Sequence, residues 1–212
     1  EAKRQVFGTF GIDFLAGPSE VLIIADETAD PDFVAADLLA QSEHDPNARG
    51  ILISLSEELA TNVLSSLEKF LANLETADVA RKSWEDNGQV LIADSMDEAL
   101  TLANEIAPEH LEICIKNPEK ALPSLCNYGS LFIGNYAAEV FGDYVSGTNH
   151  ILPTMKAARY TGGVWVGTFL KVASFQMINK EGANALIPAA SSLAKTEGLY
   201  AHKLAADIRL KD

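Results

Sequence analysis

The sequence predicts an open α/β sheet of mostly parallel strands, an incomplete Rossmann-like arrangement with helices on both faces and a C-terminal helical arm. Short apolar runs alternate with longer amphipathic segments through the first 135 residues. Several runs are apolar on both faces, as the buried strands of a parallel sheet require. The pattern then changes to a stretch rich in glycine and aromatic residues, followed by a helical pattern.

The predicted elements follow one another in βαβα order. Five apolar runs are predicted as strands, at residues 21–25, 50–55, 89–93, 111–115 and 130–133. Four segments between them are predicted as helices, at 31–43, 57–74, 96–106 and 118–126, and a helical tail is predicted at 181–210. Asp30 and Ser95 stand where short polar side chains cap helices. Ligand sites in such sheets gather at the carboxyl ends of the strands.

Length and charge limit the kinds of protein that the chain can be. Its 212 residues, 48% of them hydrophobic, suffice for a packed core, and we expect an α/β portion over residues 1–152 and a mostly helical arm over 153–212. A net charge of −14 argues against binding nucleic acid or an anionic membrane, so a small polar or cationic metabolite is the better partner. The apolar runs are of strand length, far below the ~20 residues of a membrane span.

The cysteines and the first residues of the chain indicate the cellular compartment of the protein. Cys114 and Cys126 form no CxxC pair, and we expect both to be buried, reduced thiols rather than disulfide partners, metal ligands or nucleophiles. The first residues do not read as a signal peptide. These features are typical of a cytoplasmic protein.

Three of the four histidines lie in short polar patches. The first patch ends the predicted helix at 31–43, where Gln41 and His44 are three residues apart and project from one face. An amide oxygen and an imidazole nitrogen so placed can bind one metal ion. A solvated helix end is the alternative.

The second patch joins Glu109 and His110 between a predicted helix and a predicted strand, where Pro108 should end the helix. A carboxylate and an imidazole side by side suit general acid–base chemistry, and an ordinary surface loop is the alternative.

The third patch covers residues 142–150 and combines glycines with many donors and acceptors, including Asp143 and His150. Glycines let a backbone approach a ligand closely, and Asp143 offers a hard carboxylate oxygen. We expect a binding loop here, since the composition suits neither helix nor strand. A tight turn is the alternative.

Together the segments resemble the histidinol dehydrogenase family, the zinc enzymes that end histidine biosynthesis. The matching segments read IDFLAGPSEV (12–21), AADLLAQSEHDP (35–46), APEHLE (107–112), DYVSGTNHILPT (143–154) and EGLYAHK (197–203). They follow the family's order and approximate spacing over the whole chain. Ser42 departs from the alanine that is more frequent in the family, between two ligand positions.

The resemblance implies a zinc site shared between the subunits of a homodimer. Its ligands would be Gln41, His44 and Asp143 from one subunit and His202 from the C-terminal arm of the other. These four residues would also lie at the substrate. Further substrate contacts would come from Ser19, His110, His150 and, in the arm, Glu197.

The resemblance also implies a reaction, the oxidation of L-histidinol to L-histidine through L-histidinal with reduction of two NAD. Glu109 would activate water and His110 would act as the acid–base. Residues that contact NAD are not assigned: the chain has no GxGxxG fingerprint, and the family's nicotinamide-binding part lies mostly upstream of this segment. The chain thus resembles the C-terminal half, which alone would keep part of the site but not turnover. The alternatives are a zinc-dependent hydrolase with Glu109 as base, and a non-catalytic zinc-binding or assembly fragment.

Overall fold

Five parallel strands form one sheet in the computed structural model, which describes residues 1–210. The strands are β1 (Glu20–Ala25), β2 (Arg49–Ser54), β3 (Gln89–Ile92), β4 (His110–Cys114) and β5 (Ser130–Ile133). They lie in the order β3-β2-β1-β4-β5, and every neighbouring pair is parallel. The predicted open α/β sheet is confirmed.

The described chain also contains eight α-helices. They are α1 (Ala2–Val6), α2 (Pro31–Ser42), α3 (Glu57–Leu71), α4 (Ala77–Asn87), α5 (Met96–Ile106), α6 (Glu139–Tyr144), α7 (Lys180–Thr196) and α8 (Tyr200–Asp207). The side chain of Asp30 accepts the N–H of Asp32, and that of Ser95 accepts the N–H of Glu98. Both predicted caps are therefore present, each satisfying one free backbone donor.

Each face of the sheet has its own apolar core, so helices cover both sides. Val21 and Ile23 of β1 pack with α2, α3 and α4, whereas Leu22 and Ile24 pack on the opposite face with α5. β4 follows the same alternation, since Leu111 and Ile113 join the second core and Cys114 joins the first. Its remaining side chains, His110 and Glu112, therefore lie on the α2 side.

The structure corrects two predicted helices and adds one. Residues 118–126 form two short 3₁₀ turns, Pro118–Lys120 and Leu122–Ser124, and not one helix. Pro123 explains the break, because proline has no N–H and its ring collides with the preceding turn of an α-helix. α3 ends at Leu71, and α4 was not predicted.

The third histidine patch also differs from the prediction. Gly142, Asp143 and Tyr144 belong to α6, and the irregular segment begins at Val145. Gly142 is buried, and a Cβ atom there would lie 2.9 Å from the ring of Phe132. This glycine therefore permits close packing inside a helix rather than marking a turn.

The two cysteines differ in exposure. Cys114 is buried as expected, but Cys126 is exposed, so that half of the prediction was wrong. Cys126 follows the 3₁₀ turns that replace the predicted helix, and its N–H donates to Asn104 Oδ1 at 2.9 Å on the surface.

The chain divides into two compact units, residues 1–169 and a second unit that starts at Leu170. Within the second unit, α7 begins at the cap Asn179 and pairs with α8, which confirms a helical tail. The segment before α7 exposes large apolar side chains, with Val172 97% and Met177 91% accessible. Among residues 1–210, the helices are all too short or too polar to cross a membrane.

Candidate functional site

The predicted site residues of the first unit gather at the amino edge of the sheet. His110 is the first residue of β4 and lies beside Val21 in the register, next to Glu20 at the start of β1. α2 runs back from the end of β1 towards the start of β2, so its last turn brings Gln41 to the same edge. Parallel α/β sheets usually bind ligands at the carboxyl edge, and this cluster lies at the opposite one.

His110 is a buried imidazole with a defined hydrogen-bond role. Its Nδ1 lies 3.0 Å from the carbonyl oxygen of Glu20, and a carbonyl can only accept, so Nδ1 carries the hydrogen. Burial lowers the pKa of His110 to about 3, which keeps the ring neutral. Its Nε2 therefore presents a lone pair to the cluster.

His150 stacks on His110 and links it to α6. The ring centroids are 4.9 Å apart, and the two Nε2 atoms are 3.0 Å apart. His150 Nε2 also lies 2.7 Å from Asp143 Oδ1. Its Nδ1 is buried and has no hydrogen-bond partner among residues 1–210. Ring nitrogens of both histidines therefore lie at the edge of the cluster.

Glu109 lies beside His110 and is also buried. Its Oε2 accepts the backbone N–H of Glu20 at 3.0 Å, and the hydroxyl of Ser19 lies near the same carboxylate. Burial raises the pKa of Glu109 to about 7. A carboxyl group with a pKa near neutrality can both release and accept a proton under physiological conditions.

Gln41, His44 and Asp143 all lie around Glu139, a residue that the sequence analysis did not single out. The Gln41 amide is fully buried, and its oxygen lies 3.2 Å from Nδ1 of His110, whose hydrogen it can accept. The same end of the amide lies 3.2 Å from each carboxylate oxygen of Glu139. His44, Glu139 and Asp143 each offer a ligand atom within 4.8 Å of the others. His110, Glu139 and His150 form a second such group.

This donor set fits a divalent metal ion. Imidazole nitrogen, carboxylate oxygen and amide oxygen are ligands that zinc and neighbouring divalent ions accept, and the set contains no thiolate that would favour softer metals. Burial, together with the nearby carboxylates of Asp143 and Glu109, raises the pKa of Glu139 to about 9. A cation between these groups would offset that repulsion.

Glu139 carried a sequence signal that could have identified it. It stands four residues before Asp143, so the two carboxylates share one face of α6. Prediction of an irregular loop over 142–150 hid this spacing.

Two more carboxyl groups lie behind Glu139, one buried and one half-buried. Glu112, in the middle of β4, is 1% exposed, and its Oε1 accepts the backbone N–H of Glu139 at 2.9 Å. The carboxyl of Asp37, on α2, hydrogen-bonds to Glu112. Burial raises the pKa of Asp37 to about 6 and the pKa of Glu112 well above its ordinary value. An acidic residue inside an otherwise apolar strand, two positions after His110, was the available signal.

Glu197 and His202 belong to the second unit. Glu197 ends α7 as its C-cap, and His202 lies in the first turn of α8. Both side chains are exposed.

Comparison with known proteins gives consistent results over the whole chain. A model of the histidinol dehydrogenase family matches residues 1–210. A histidinol dehydrogenase homolog from Shouchella clausii is 46% identical over 211 residues, which are 100% of this chain and 50% of the relative. Histidinol dehydrogenase from Nitrobacter winogradskyi is 49% identical over 209 residues, 99% of this chain and 49% of that protein.

A solved structure agrees with these sequence relatives. The crystal structure of histidinol dehydrogenase from Elizabethkingia anophelis superposes with a TM-score of 0.86 at 40% identity, covering 99% of this chain and 48% of that one. The chain therefore spans about half the length of the relatives that it matches.

Proposed function

We propose, because this chain belongs to the histidinol dehydrogenase family, that it supplies the metal and substrate site for NAD-dependent oxidation of L-histidinol to L-histidine through L-histidinal. The observation that carries the proposal is a neutral, buried His110 whose Nε2 lone pair faces His150 in the cluster formed around Glu139, with Glu109 directly beside it.

His110 acts as the general base in this proposal. Its Nδ1–H is held by the Glu20 carbonyl, so the ring can turn only its Nε2 lone pair towards a substrate hydroxyl. Nε2 would accept the proton of the alcohol in the first oxidation and that of the hydrated aldehyde in the second, with one NAD as the hydride acceptor in each. The aldehyde is then hydrated, and Glu109, with its pKa near 7, takes a proton from the attacking water.

Gln41, His44 and Asp143 would hold zinc, with His202 of a partner subunit as the fourth ligand. The bound ion would supply a positive charge that orients and polarises nitrogen groups of the substrate. Ser19, His150 and Glu197 would complete the substrate contacts. The hydroxyl of Ser19 lies near the carboxylate of Glu109, which supports a place for it beside the reacting group.

The proposed active unit is a homodimer in the cytoplasm whose C-terminal arms exchange. The exposed apolar side chains that precede α7 support this, because such a segment gains stability when another surface covers it. NAD would be bound largely by the part of the relatives' length that lies outside this chain.

Hydride transfer tests the proposal directly. NADH formation from L-histidinol is followed with the chain alone, with the chain plus the upstream half, and with the same mixture carrying His110→Ala. We expect NADH only in the unmodified mixture. NAD-independent hydrolysis of an amide substrate, in place of NADH formation, would instead favour the hydrolase alternative.

A further inference from the structure

Glu112 occupies a position where an apolar side chain would ordinarily stand. It lies in the middle of β4, between the buried Leu111 and Ile113, and is 1% exposed. A buried carboxyl group costs free energy of desolvation unless it makes specific hydrogen bonds. Replacing buried polar groups by apolar ones of similar size often leaves stability unchanged or improves it. Glu112 therefore calls for an explanation beyond the stability of the sheet.

The hydrogen bonds of Glu112 join two helices that carry site residues. Its Oε1 accepts the N–H of Glu139, the first residue of α6. The residue before α6, Ala138, has no side-chain oxygen to cap it, so the strand supplies the acceptor that a cap would provide.

The second contact of Glu112 is with Asp37 on α2. Two ionised carboxylates can only accept, so this hydrogen bond requires one of them to keep its proton. Glu112 thus contacts both α6 and α2.

We propose that Glu112 is a positioning residue that holds α2 and α6 at a fixed separation, so that Gln41 and His44 from one helix meet Glu139 and Asp143 from the other. This rests on the proposed function, in which Gln41, His44 and Asp143 hold the metal and Glu139 lies among them. Glu112 itself touches neither substrate nor metal.

Amide exchange in the metal-free, full-length protein tests the positioning step without any reference to metal. Glu112→Gln keeps an oxygen acceptor for the Glu139 N–H, whereas Glu112→Leu removes it and keeps the volume. We expect exchange in the peptide covering α6 to rise at least tenfold in Glu112→Leu and to stay within about twofold of wild type in Glu112→Gln. Ile113→Val, the next residue on the opposite face of β4, is the control and should leave α6 exchange unchanged.

Zinc affinity, measured by competition with a chromophoric chelator, tests the consequence. Loss of a residue that orients ligands typically costs 10- to 100-fold in metal affinity, so Glu112→Leu should lose ~10- to 100-fold while its melting temperature stays at or above that of wild type. Glu112→Gln should bind zinc with an affinity within about threefold of wild type. General damage to the core would not be reversed by this conservative substitution.

The outcomes separate this proposal from the one that it rests on. Failure of the wild-type protein to bind zinc would defeat the proposed function, whereas the exchange data would still decide the role of Glu112. Wild-type exchange and zinc affinity in a folded Glu112→Leu would overturn the positioning role. If Glu112→Leu does not fold, Asp37→Ala against Asp37→Asn repeats the comparison from α2, and equal behaviour of those two would count against it.

Discussion

Replacing Glu109 by glutamine should remove the free-energy cost of ionising a buried carboxyl group, a cost that depends on pH. Burial raises the pKa of Glu109 from its ordinary value of 4.5 to about 7. At roughly 1.4 kcal/mol per pH unit, that difference corresponds to about 3 kcal/mol of stability lost when the folded protein ionises this group. The side chain is 7% exposed, so solvent screening reduces the figure little.

The sign follows from proton binding. Between pH 4.5 and about 7, folded Glu109 keeps a proton that the unfolded chain has already released. Stability from this residue is therefore complete below pH 4.5 and is lost as pH rises through about 7. Glutamine has no such titration, yet its amide oxygen can still accept the N–H of Glu20. The variant should match wild type near pH 4.5 and exceed it by up to about 3 kcal/mol at pH 8.

Urea unfolding of the metal-free protein at pH 4.5, 6 and 8 measures this difference. The exposed Glu119→Gln is the matched control and should shift the free energy of unfolding equally at each pH. The reasoning would be refuted if Glu109→Gln showed no gain over wild type between pH 4.5 and 8. In the active enzyme the same variant should slow oxidation of L-histidinal more than that of L-histidinol, while zinc affinity is nearly unchanged.

Four further predictions concern the site and the helix α6 that carries part of it. His110→Ala should depress both oxidation steps by ~10²- to 10⁴-fold, the usual contribution of a general base, in steady-state assays with either substrate. His44→Ala should lose its zinc in elemental analysis, and full occupancy would reject the ligand assignment. Mixed dimers of His44→Asn and His202→Asn chains should regain one intact site, so inactive mixtures of confirmed dimers would argue that no ligand crosses between subunits. Gly142→Ala should lower the free energy of unfolding by about 1–3 kcal/mol, because its Cβ would lie 2.9 Å from Phe132; an unchanged denaturation midpoint would contradict the packing role.

The sheet could be predicted because its central strands are apolar on both faces, a pattern that local sequence displays directly. The helix predicted at 118–126 was wrong because the helical pattern of the segment was given more weight than Pro123. This proline lies inside the segment, where an α-helix needs a backbone N–H donor. Helix α6 was missed for the opposite reason. Gly142 lowers helix propensity, and the close approach of the rings of Phe132, from strand β5, and His150 explains why a glycine stands there.

The sequence pointed to the residue types of the candidate site but not to its position in the fold. Gln41, His44 and Asp143 could be picked out because each stands in a polar patch, whereas Glu139 and Glu112 stand among apolar neighbours. Strand β4 was expected to begin one residue after His110, which left Glu109 and His110 in a loop. This difference of one residue determines at which edge of the sheet the site is expected. Because His110 is the first residue of the strand, its ring faces α2 and the cluster forms at the amino ends of the strands.

The hydrogen bond between His110 and Glu20 joins residues 90 positions apart, and it exists only where β1 and β4 are paired. Contacts of such long sequence separation are slow to form, because the intervening chain must first lose its freedom. The proposed acid–base centre should therefore appear late in folding, together with the middle of the sheet. Any ligand that engages it stabilises the native state as a whole and slows global unfolding, rather than ordering one surface segment.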